Sequence, residues 1–331
     1  TIKPQYFLII YILFFTIIYL SLKRVNRTQL ILFCLLIYIV PVFSAIKYYA
    51  QHNNYNVNSS FTKYDNDNYT KRDVYYIILD GFINLVSYKD KFPDRYNDFK
   101  TRLDDLGMTI LDKTWSAYPN TVYSIPSTLN LNYIYNYNYI KPDSVEFDKL
   151  QFYHGSNNIV YKTFDSLNYK IIINSNIWRN PENIVYDYLE CARMSEFQEV
   201  LFDNSIVNIF EYYLIKYFDI QIKSSRFNEI LCQFNNIKKS EYTAYPKFMF
   251  SHIYCPHPPY VFNNDGEKIN SSSTSSNWKP EKEYYGQLEF CSKLLVSTLE
   301  SLLKNYENQL KPIIIIQSDH GAHLLDATLD F

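Results

Sequence analysis

An aspartate and a histidine stand side by side at 319 and 320, where a run of four isoleucines gives way to polar residues in IIIIQSDHGAH. The run from Ile313 reads as a short, fully buried strand, too apolar on both sides for the edge of a half-exposed sheet. Ligands bind beyond the carboxyl ends of strands in open α/β sheets, so a carboxylate beside an imidazole there points to a metal ion. Gly321 is expected to let the backbone leave at an angle that a side chain would resist. An ordinary strand end with polar turn residues competes with that reading while the pair is taken alone.

Other residues of matching chemistry lie elsewhere in the chain. VYYIIL, Val74 to Leu79, is a second apolar strand, and it stops at Asp80 and Gly81. Thr121 opens a short helix, where a hydroxyl faces unpaired backbone N–H groups that suit a phosphate or sulfate. A plain N-cap role for Thr121 or Ser124 is the competing reading. His252 and His257 flank the end of a third strand, and His257 is held between prolines in YCPHPPYVF, a placement suited to contact with substrate or metal. Asp80, Asp319 and His320 would give a divalent cation two hard oxygens and one imidazole, with the Thr121 hydroxyl as a further ligand; Zn or Mn fits that set better than Mg or Ca. A hydroxyl on a cation loses its proton more readily, which makes a usable nucleophile of a poor one. Ser124, His252 and His323 are secondary candidates.

These residues need a scaffold that brings strand ends together. Helices are expected over Arg95 to Leu106, with Gly107 as C-terminal cap, over a short stretch from Thr121, within Ile159 to Ile173 before a strand ending at Asn174, over Arg193 to Phe218, and over Glu283 to Lys304. Pro126 conflicts with the second of these unless it falls in the first turn. Asp165, Glu196 and Glu211 read as solvated helix charges. Further strands are expected at Met108 to Leu111 and Lys247 to Ile253, and residues 263 to 280, with their SSSTSS run, as a mobile surface loop. Apolar strands alternating with amphipathic helices make an α/β fold with a largely parallel sheet covered on both faces.

The 331-residue chain has a formal net charge of −2, which gives no support to a nucleic-acid partner. Two uncharged apolar runs, residues 6 to 22 and 30 to 46, have the length of short transmembrane helices. Between them lie Lys23, Arg24 and Arg27, which the positive-inside rule places in the cytoplasm, so that everything after about Lys47 is extracytoplasmic. The expected organisation is a membrane region over 1–50, a juxtamembrane linker over 51–72, and a catalytic domain over 73–331 whose C-terminal part lies beyond Phe331. Cys191, Cys232, Cys255 and Cys291 show no CxxC spacing, which argues against a zinc knuckle and leaves disulfides and buried thiols both open.

Taken in order, LDG at 79–81, NTVYSIP at 120–126, HIYCPHPPY at 252–260 and SDHG at 318–321 resemble the alkaline phosphatase superfamily, in the membrane-anchored, sulfatase-like branch that contains lipoteichoic acid synthases and phosphoethanolamine transferases. The resemblance implies Asp80, Thr121, Asp319 and His320 as metal ligands, Thr121 as nucleophile and His257 as the substrate-side histidine. It implies a multi-pass membrane protein acting on a lipid or envelope phosphoester. Sulfatases place an arginine where Thr128 stands and paired acids where only Asp80 is present, so sulfate ester hydrolysis ranks below phosphoryl chemistry. A hydrolase of phosphate or sulfate esters and a non-catalytic metal-binding or surface interaction protein are the alternatives.

Overall fold

The computed structural model describes residues 28, 70–111, 113–134, 158–175, 187–189, 191, 226–269 and 277–323. The chain divides into two compact units, Thr1–Thr62 and Lys63–Phe331, and all but one of the described residues belong to the second. The expected membrane spans and the helix over Arg193 to Phe218 lie outside the described residues, among which no helix is long and apolar enough to cross a membrane.

Five strands form one sheet: β1 (Val74–Leu79), β2 (Lys170–Ser175), β3 (Asp187–Tyr188), β4 (Lys247–Ile253) and β5 (Ile313–Gln317), in the order β3-β2-β4-β1-β5. All pairings are parallel. Parallel strands need crossovers, and helices supply them: α1 (Leu85–Lys91), α2 (Pro93–Asp105), α3 (Thr121–Leu129), α4 (Ile159–Ser166), α5 (Arg226–Lys238) and α6 (Glu281–Lys304). The period of two in β1 divides the core. Tyr75, Ile77 and Leu79 pack with Phe99, Leu103, Phe234, Leu288 and Leu295 of α2, α5 and α6. Val74, Tyr76 and Ile78 pack on the other face with Ile125 and Leu129 of α3 and Tyr161 of α4.

Four expectations meet a different structure. β5 is an edge strand, with Ile313 and Ile315 exposed by 42% and 47%, while Ile314 and Ile316 pack against the α6 side. The apolar run therefore covers one face only. Replacing Ile315 by Thr should change stability by no more than about 0.5 kcal/mol, whereas the same change at the wholly buried Ile77 should cost several times as much in a denaturant titration. Met108 to Leu111 is not a strand: the Met108 N–H folds back to Leu103 O (3.0 Å) and closes the end of α2 around Gly107, whose φ is +77°. Pro126 lies inside α3 and not in its first turn. The loop read as mobile is anchored at its far end by Trp278, which is buried in the core.

Two disulfides tie loops to helices, Cys191–Cys232 and Cys255–Cys291, with Cα separations of 5.6 and 6.5 Å. The second joins the loop after β4 to α6, two residues before His257.

Candidate metal centre

Strand order brings the site together. β4, β1 and β5 are neighbours, so Asp80 after β1, His257 after β4, and Asp319 and His320 after β5 leave the carboxyl edge from three adjacent positions. Two features hold the turn after β1. Gly81 takes φ +70°, and a Cβ there would stand 2.4 Å from the Trp278 ring. Its N–H donates to Asp319 Oδ1 (3.1 Å), while the Phe82 N–H donates to Ser318 Oγ (2.9 Å), which ties the β1 and β5 turns to each other. Gly321, expected to be the conformationally demanding glycine, has no positive φ and open space where a Cβ would go. The strained position is in the other turn.

α3 supplies the hydroxyls. Its N-cap is Asn120, whose side chain makes no capping bond, so neither Thr121 nor Ser124 is the cap. Thr121 Oγ1 donates to Asp319 Oδ2 (2.7 Å) and lies 3.4 Å from His320 Nε2. Ser124 is buried and donates to the Asp319 carbonyl, as does Ser116. Ser124 thus positions the backbone of Asp319, and its hydroxyl does not face the centre.

Asp80 and His252 are buried and short of partners among the described residues. Asp80 is fully buried and neither of its oxygens has a well-formed hydrogen bond. The nearest groups are His320 Nε2, 3.4 Å from Oδ1, and His252 Nε2, 3.3 Å from Oδ2. His320 Nε2 is also 3.5 Å from Asp319 Oδ2. In a tetrahedral site with bonds of about 2.0–2.1 Å, neighbouring donors stand about 3.3–3.4 Å apart, which these separations match. The imidazoles are set in the appropriate tautomer. His320 Nδ1 is 2.8 Å from the Gly321 carbonyl and His257 Nδ1 is 2.6 Å from the Pro258 carbonyl. A carbonyl only accepts, so both Nδ1 atoms carry the proton and both Nε2 atoms face the site, an arrangement usual for metal-bound histidine. Asp80, His257 and His320 place one ligand atom each within 4.8 Å of one another, and so do Asp80, His252 and Asp319.

Charge follows the same division. Burial opposes ionisation of Asp80, but His252, His320 and His257 outweigh it and hold its carboxyl well below the usual range. Burial also opposes charge on His320, yet Asp80 and Asp319 push it up to about 9, so a cation entering here displaces a proton from this ring. Asp319 is raised by burial and by the charge of Asp80, and His257 is lowered by burial. Together these residues make a buried cluster of excess oxygen and nitrogen donors, and a divalent cation fits it.

Trp278 closes one side, with ring centroids 4.7 Å from His257, 6.1 Å from His320 and 5.4 Å from His323. His323 is exposed and packs beside His320 at 5.2 Å. Nothing local in the sequence marks Trp278, which follows a serine-rich run, and only Gly81 beneath it explains its place. Replacing Gly81 by Ala should cost about 1–2 kcal/mol from the left-handed backbone alone and expel Trp278, read as a red shift of tryptophan emission.

No family model matches the chain, and no curated protein matches it. Among solved structures, the fold is similar to the C-terminal periplasmic domain of EptC from Escherichia coli in complex with Zn, at 14% identity and a TM-score of 0.41, covering 80% of this chain and 67% of that one. The corresponding domain of phosphoethanolamine transferase EptC from Campylobacter jejuni matches at 13% identity and a TM-score of 0.41, covering 79% and 73%. Ps i-CgsB in complex with k-i-k-neocarrahexaose matches at 16% identity, again with a TM-score of 0.41, covering 76% and 59%. Likenesses this distant say nothing of substrate.

Proposed function

We propose that the chain is a metal-dependent, membrane-anchored phosphoryl-group transferase that acts on lipid or envelope head groups through Thr121. The observation that carries this reading is the position of Thr121 Oγ1, 2.7 Å from a buried carboxylate and 3.4 Å from a site-facing imidazole nitrogen. A hydroxyl at the first residue of a helix also stands beside backbone N–H groups that favour an anion. A bound divalent cation supplies charge neutralisation for the phosphoryl oxygens and acidifies a coordinated hydroxyl.

The chain's own residues account for the rest. The Thr121 proton passes to Asp319 Oδ2, its existing acceptor, as the oxygen attacks phosphorus and the bond to the leaving alkoxide breaks, leaving phosphothreonine. His257 presents Nε2 toward the same space, fixed by its Nδ1–H bond to Pro258; the leaving alkoxide takes its proton from water, and Nε2 accepts the proton of the incoming alcohol and passes it to solvent. An acceptor alcohol then attacks phosphorus, the Thr121–phosphorus bond breaks, and Oγ1 regains a proton from Asp319. Trp278 keeps water from one side. Membrane anchorage, with the catalytic domain outside the cytoplasm, is supported by the two apolar runs of the sequence.

Membranes containing the full chain, incubated with phospholipid labelled in its head group and with Zn or Mn, should transfer the label to an acceptor alcohol, and a chelator should stop it. Release of the labelled head group to water alone would make the protein a hydrolase. Neither product at any added cation would refute the enzymatic reading.

A further inference from the structure

The two imidazoles accounted for so far come from loops, but a third comes from a strand. His252 lies in β4 in register with Ile78 of β1, on the sheet face that carries α3. It is wholly buried, and neither of its ring nitrogens has a hydrogen-bond partner among the described residues. A buried imidazole with both nitrogens unpaired is an unfavourable arrangement unless something else is bound there.

The surroundings indicate what that is. His252 Nε2 faces Asp80 Oδ2 at 3.3 Å, and that oxygen is itself unpaired. The separation is longer than a good N–H···O contact, which is centred near about 2.9–3.0 Å, and it equals the spacing of two donors that share one ion. Asp80 thereby has His320 beside one oxygen and His252 beside the other. Asp319 offers an oxygen within 4.8 Å of the donors of Asp80 and His252, while Asp80 also forms a second such group with His257 and His320. A simple ion pair between His252 and Asp80 would use one nitrogen and one oxygen, and would leave the other nitrogen of His252 buried without a partner among the described residues.

We propose that His252 binds the cation directly through Nε2, adding an imidazole from the central strand to the donors at 80, 121, 319 and 320. The assignment rests on the cation reading given above. Ligands then come from all three adjacent strands, β4, β1 and β5, and the second imidazole moves the preference further from Mg and Ca toward Zn.

The test counts imidazoles on the metal. His257 also points Nε2 at the site, so it is first removed as His257→Gln, and the Zn-loaded protein is examined by X-ray absorption and by competition with a chromophoric chelator. Two imidazoles are expected in His257→Gln, from His252 and His320. One is expected after the further change His252→Ala, with Zn affinity lower by at least about ten-fold. A single imidazole already in His257→Gln would overturn the assignment. So would two persisting in the double variant, or an affinity that stays within three-fold. A loss of affinity with an unchanged imidazole count would also overturn it, because His252 would then act only through Asp80. If the double variant does not fold, the count in His257→Gln decides alone. Failure of the unsubstituted protein to bind Zn at all would refute the cation reading itself and is seen before any variant is made.

Discussion

Thr121→Ala is expected to lower head-group transfer by at least about 10³-fold while leaving the melting temperature of the metal-loaded protein within a few degrees. The side chain is partly exposed and contributes one short hydrogen bond, to Asp319, besides a long contact to His320, so its stability role is small. Its chemical role has no substitute nearby. Ser124 is the only other hydroxyl on the first turns of α3 that reaches Asp319, and it is committed to the backbone carbonyl of that residue. Thr121→Ser should therefore retain measurable turnover and Ser124→Ala should not mimic Thr121→Ala. Rapid quenching of the unsubstituted protein with labelled donor should capture label on Thr121, located by fragment mass, and none in the Ala variant. Unchanged turnover in Thr121→Ala would remove the nucleophile, and with it the transferase mechanism.

The elements that could be read from the chain are those whose pattern is local. Val74–Leu79 and Lys247–Ile253 are buried along their whole length, and an uninterrupted β-branched and aromatic run records that directly. The stripe at 288, 291, 295, 299 and 302 is buried along α6 as a 3.6-residue period requires. β5 shows the limit of such patterns. Four isoleucines state that the segment is apolar, but not how many layers cover it, and the helices α3 and α4 pack on β1, β2 and β4. The site divides in the same way. Asp80, Asp319 and His320 were legible because an acid at the end of an apolar strand is anomalous by itself, and adjacency of β1 and β5 then brings them together. Trp278, Ser116 and the turn role of Gly81 depend on loops meeting across roughly 200 residues, as in the bond from Ser116 to Asp319, and no local period encodes that.

The opposite end of the sheet carries the largest stability effect. Asp73 precedes β1, and its side chain is buried with that of Lys247, the first residue of β4, at 2.9 Å. The same carboxylate accepts from the Lys247 backbone N–H (2.9 Å) and from the Tyr306 hydroxyl, and the Asp73 carbonyl accepts from Ile313 N at the start of β5 (2.8 Å). One residue thus fixes the amino ends of three adjacent strands whose carboxyl ends hold the proposed cation. Asp73→Ala would leave the Lys247 ammonium buried without its counter-charge, which costs about 3–5 kcal/mol, and lower the melting temperature by on the order of 10 °C. The paired change Asp73→Leu with Lys247→Met removes both charges and should recover most of that loss, because the penalty comes from the unpaired charge and not from absence of the pair. Recovery of stability would not restore register by itself, since the Lys247 N–H loses its acceptor in both variants. Zn affinity in the double variant then reports whether the strand ends at Asp80 and Asp319 are held in place by the sheet's hydrophobic packing or by this carboxylate.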